Sequence, residues 1–115
     1  MSAVRNLLTL VRNERDALVP FFDSYAQLGD AYADLDRLAF GVEFQEAWGA
    51  VGQLPNAPDI EKKLEELAAA RGRLLQMAMA FAAERKEGKW PELLKPDAHA
   101  ALRRLDAAID DVAAA

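Results

Sequence analysis

The sequence predicts an all-α fold: an antiparallel helical bundle of about four helices, the second kinked or broken near Gly41. Three observations carry this reading. Apolar residues recur at three- and four-residue spacing almost throughout, and no strand-like alternation interrupts them. Six Gly and five Pro gather at a handful of places and punctuate the chain there. Hydrophobic residues make up 52% and charged residues 29%, a globular composition, although alanine inflates the first figure. At 115 residues the chain, 1–115, is expected to be one domain with one core.

Segment one runs from Ser2 to about Val19, with the stripe Val4, Leu7, Leu8, Val11, Leu18 and with Phe22 in phase. Pro20, in "LVPFF", breaks or kinks it, because proline has no amide hydrogen and its ring crowds the preceding turn. Segment two runs from about Pro20 to Leu54, with Gly29 and Gly41 inside and the stripe Leu28, Tyr32, Leu35, Ala39, Val42. Around and after Gly41 a second stripe, Phe40, Phe44, Ala47, Trp48 and Val51, lies nearly opposite the first. A straight helix would then be apolar on two faces and present an aromatic docking patch. A break at Gly41 instead re-phases both stripes into one core, bringing Phe40, Phe44 and Trp48 to Leu35 and Ala39. Glycine in a helix interior costs about 1 kcal/mol, so the break is the expectation.

"GQLPNAPD" stops segment two. Asn56 then serves as N-cap and Pro58 sits in the first turn of segment three, where Asp59 and Glu61 favour the positive helix end. Segment three continues to about Glu87, with Gly88 as the C′ residue and Lys86 and Lys89 near the negative end. Its stripe is Ile60, Leu64, Leu67, Leu74, Ala78, Phe81, along a helix about 45 Å long. "GKWPELLKPD" is a linker with room for one helical turn. Segment four starts at Pro96 or Asp97 and reads Ala98, Leu102, Leu105, Ile109, Val112, with its charges off that stripe.

One stretch departs from the amphipathic pattern. "LLQMAMAFAA", Leu74 to Ala83, is apolar nearly all round, with Met77 and Ala80 on the back face. It is far short of the roughly 20 apolar residues that cross a bilayer. Two readings remain: burial among the chain's own helices, or a subunit interface.

Charge is unevenly placed. From Asp16 to Glu61, nine acids stand against one base, Arg37, a local charge of −8; the remainder holds thirteen bases and ten acids, +3, for a net −5. This balance argues against a generic polyanion binder. Arg15, Glu46 and Arg71 fall within apolar stripes. A long arginine side chain reaches solvent along an apolar surface, which is the first reading; if any of the three is buried it needs a partner, and Glu46 bridging Arg15 or Arg71 is then the expected pairing.

Little points to catalysis. The one histidine, His99, lies off its helix's stripe and reads as an exposed residue. The Glu-x-x-His pairs of di-iron bundles are absent from the sequence. Glu43 with Glu46, and Glu84 with Glu87, have the spacing of Mg²⁺-binding carboxylates, but the second pair points away from its stripe. Without cysteine there is no disulfide or thiolate metal site. The chain is therefore expected to be non-enzymatic and to need no cofactor or metal. The charged "MSAVRNLLTLVRNERD", with no signal-peptide block, fits a cytoplasmic location away from membranes.

The expected function is interaction: a small subunit of a larger assembly, or a homo-oligomer held by apolar helix faces. Phe40, Phe44, Trp48, Met77 and Met79 are the candidate partner-binding residues. Nucleic-acid contact within a complex is the alternative, through Arg5, Arg12, Arg85, Lys86, Lys89, Arg103 and Arg104. A third reading is a phage-type inhibitor acting through acidic segment 16–61. The remotest is an all-α Mg²⁺-dependent phosphohydrolase.

Overall fold

Helix α1 (Ala3–Leu18) begins where Ser2 turns extended and its Oγ accepts a hydrogen bond from the Arg5 amide at 3.0 Å. That bond satisfies one of the orphan donors at the helix start. In the computed structural model, which describes residues 2–23, 29–53, 58–88 and 92–115 (backbone alone for 29–32), every long element is helical. Among the described residues there is no strand.

α1 buries Leu7, Leu8, Val11 and Leu18, as its spacing predicts, while Val4 is half-buried. Proline ends α1 as expected: Val19 turns, and one further turn, α2 (Pro20–Asp23), carries Pro20 at its first position. A missing amide hydrogen is harmless there. Phe21 and Phe22 are fully buried. Phe22 meets Phe81 edge to face, ring centroids 5.0 Å apart, joining this turn to the longest helix.

Of segment two the described residues form α2, α3 (Gly29–Phe40) and α4 (Val42–Gly52). Gly41 separates the last two at φ 68°, ψ 21°, in the left-handed region that side-chain-bearing residues avoid. It ends α3 and opens α4, its carbonyl accepting from the Gln45 amide at 2.8 Å. The break at Gly41 is thus as predicted, but the stripe is not. Leu35 and Leu38 are buried, whereas Ala39 and Val42 face solvent. Leu38 stands one helical turn beyond Leu35, and the chain reverses before the expected stripe can continue. The side chains of Leu28 and Tyr32 lie outside the described residues.

Helix α5 (Pro58–Lys86) and helix α6 (Lys95–Ala114), joined through a 3-10 turn at Glu92–Leu94, form the most extensive helix pair. The described part of α5 begins at Pro58; Asn56, the expected cap, lies outside the described residues, as does Lys89. It ends as predicted, with Gly88 left-handed at φ 78° and its amide donating to the Arg85 carbonyl. All five stripe residues of α6 are buried: Ala98, Leu102, Leu105, Ile109 and Val112. Ala78, Ala82, Ala101 and Ala108 are buried too, and their small size permits close approach of helices. α1 packs on α4, α6 and α3, and α3 on α5, giving a body of 48 × 24 × 17 Å.

"LLQMAMAFAA" is pressed against its own core. Leu74, Met77, Ala78, Phe81 and Ala82 are buried, and only the line Gln76, Met79, Ala83 faces solvent. Alanine and methionine on the exposed line make the helix look apolar all round. Among the described residues no helix is long and apolar enough to cross a membrane.

Candidate partner-docking site

Helices α3 and α4 meet at an elbow built over one arginine. Arg71, midway along α5, donates from Nε and Nη2 to the two carboxylate oxygens of Glu14 on α1, at 2.7 and 2.9 Å. Its Nη2 also reaches the Leu38 carbonyl at 3.4 Å, at the end of α3, where backbone acceptors lack helical partners. The guanidinium lies 3.9 Å from the centroid of the Phe44 ring on α4. One side chain thus ties α5 to α1, α3 and α4.

The expected pairing of Glu46 is overturned: Glu46 is exposed, and Glu14 takes Arg71. Glu14 sits three residues after Val11 and four before Leu18, squarely on the α1 stripe, and that spacing was the available signal. Arg15, its neighbour, points to the side of α1. There it grips Asp106 of α6 through Nε and Nη2 at 2.9 and 3.1 Å and also contacts Asp16. The Asp106 hydrogen bonds raise the Arg15 pKa above its ordinary value, so it stays charged.

Above the Glu14–Arg71 pair is a cavity of about 270 Å³, lined by Glu14, Leu38 and Gly41 and edged by Phe40, Val42, Arg37 and Glu43. Phe40 is 83% exposed and Val42 62% exposed. The prediction that Phe40 joins the core is therefore overturned. It follows Leu38 by two residues, about 200° around the helix, and the reversal at Gly41 leaves it outside. Phe44 is buried as expected, and Trp48 is half-buried, stacked on Phe44 with centroids 5.7 Å apart. Arg37 spans the elbow, bonding Glu43 at 2.9 Å and approaching Asp34 at 3.6 Å.

The other candidate residues do not converge here. Met77 is buried in the core and Met79 is 53% exposed on the far line of α5. Arg5 and Arg12 edge a second groove, of about 370 Å³, near Ile60 and Val112. Arg85 and Lys86 end α5, 25 residues from Ile60 and so about 37 Å away along the helix. Arg103 is exposed, and Arg104 donates to Glu66 at 2.7 Å.

Glu43 is engaged by Arg37 rather than paired with Glu46. Among the described residues no three His, Cys, Asp or Glu side chains gather as a metal-holding group. His99 is partly exposed, with a partner that the spacing did not reveal: its Nε2 lies 3.0 Å from the Asp23 carboxylate, linking α6 to α2.

Compared with known proteins, the chain matches no family model, no curated protein and no solved structure.

Proposed function

We propose that this chain is a non-enzymatic helical-bundle interaction protein that docks a partner helix at the α3–α4 elbow. One observation supports the reading above the rest. Phe40 and Val42 stand exposed on the edge of a cavity large enough for one bulky apolar side chain. Isolated exposed apolar residues are ordinary; two of them beside a concave, mainly apolar site match how helices are captured in grooves.

Magnitude sets the expected strength. An aromatic side chain buries about 150–250 Å². At about 25 cal/mol per Å² this contributes several kcal/mol, against which the loss of freedom on association counts. One anchor therefore supports weak, reversible docking, in keeping with a subunit held at several points or a transient partner. The test is fluorescence anisotropy of a labelled amphipathic peptide with Leu at i, i+3, i+4 and i+7 and Gln and Ala elsewhere. Saturable binding by the full chain, weakened at least about tenfold in Phe40→Asp, supports docking at the elbow. Equal binding by the variant contradicts it.

A further inference from the structure

We infer that the partner segment at the elbow is basic: an amphipathic helix whose apolar anchor is flanked by Lys or Arg. The inference rests on the docking reading and adds the partner's chemistry. All but one of the residues lining the cavity belong to the acid-rich segment 16–61. Arg37, the sole base between residues 16 and 61, stands on its edge and is already held by Glu43 at 2.9 Å and Asp34 at 3.6 Å. Asp36 and Glu46 are exposed on the same two helices. Glu43 lines the opening, and helical spacing puts Asp36 one turn before Phe40 and Glu46 one turn after Val42; one guanidinium, Arg37, stands against them, while Glu14 and Arg71 cancel each other.

That charge decides between occupants. A second copy of this chain would bring the same acidic rim against itself, and a nucleic acid would bring phosphates; both meet like charge. A helix with Lys or Arg one turn either side of its anchor meets Asp36 and Glu46, and the attraction extends over about one Debye length, roughly 8–10 Å.

Three labelled peptides test this against the full chain. They share one apolar stripe and carry Lys and Arg, Gln, or Glu at the polar positions. The basic peptide should bind at least about tenfold tighter than the acidic one, and raising NaCl from about 50 to 500 mM should remove most of that advantage. Phe40→Asp and Val42→Asp separate docking from diffuse attraction, because each makes the surface more acidic while spoiling the apolar edge. Docking predicts weaker binding of the basic peptide by at least about tenfold; diffuse attraction predicts equal or tighter binding and overturns the proposal. Equal affinity for all three peptides removes the basic partner but leaves the docking reading standing. Binding of none removes both. A dimer in sedimentation that Phe40→Asp dissociates makes a second copy the occupant and also overturns the proposal.

Discussion

Arg71 and Glu14 form a two-pronged ion pair, 2.7 Å from Nε to Oε1 and 2.9 Å from Nη2 to Oε2, with side chains only 11% and 6% exposed. Removing one partner leaves the other buried without compensation, so Arg71→Ala should destabilise by about 3–5 kcal/mol. Replacing both, with Glu14→Leu and Arg71→Met, should recover most of the loss. Urea denaturation of the two single variants and the double variant checks this. A double variant as unstable as the sum of the singles would show that the two groups act independently, and would contradict this account.

The glycines predict opposite signs for one substitution. Gly41 has φ 68°, and the left-handed conformation costs a side-chain-bearing residue about 1–2 kcal/mol, so Gly41→Ala should lower stability by that amount. A Cβ there would meet only the Leu38 carbonyl, at 3.9 Å, so backbone strain rather than crowding is the cause. Gly72 lies inside α5, and a Cβ there would meet nothing within 4 Å. Gly72→Ala should therefore raise stability by about 0.5–1 kcal/mol. Thermal melts with matching signs for both would refute the argument.

Met77 and Met79 separate core from surface on one helix. Met77 is 5% exposed, so Met77→Ala should cost about 2–5 kcal/mol, and Met77→Lys should unfold the chain rather than release a folded monomer. Met79 is 53% exposed, and Met79→Lys should change stability by no more than about 0.5 kcal/mol. Circular dichroism melts decide this.

At low pH one surface pair has a worked-out sign. The hydrogen bond from Arg104 holds the Glu66 carboxyl below its usual value. A depressed folded-state pKa contributes stability that is present above the unfolded value. That stability is lost as pH falls from about 4.3 through the folded-state value. The pair is exposed and screened, so the effect is small. Wild type should melt slightly above Glu66→Gln at about pH 7, with the gap closing by about pH 2–3. A gap that widens on acidification would contradict the assignment.

How much of this was legible from residues differs by element. α6 was readable throughout, because its five apolar positions keep one helical phase and all five are buried. The stops at Pro20, Gly41 and Gly88 were readable because backbone chemistry acts locally. Phe40 was not: glycine announces a break, but the direction taken after it depends on what α4 packs against. Nor was the Arg71–Glu14 pair. Charge spacing places each group on its own helix, while the choice among Glu14, Glu46 and Asp106 depends on how three helices rotate against one another. The proposed docking site stands where one local rule, the left-handed Gly41, meets a tertiary choice, the buried Arg71–Glu14 pair.

Whether the α3–α4 elbow docks a basic helix is decided by amide shift mapping of the full chain titrated with the basic peptide. Docking there should give perturbations centred on Leu38 to Phe44 and on the Arg71 Nε–H, saturating together. Shifts centred on the groove beside Arg5 and Arg12, or spread evenly over the acidic surface without saturation, would contradict it.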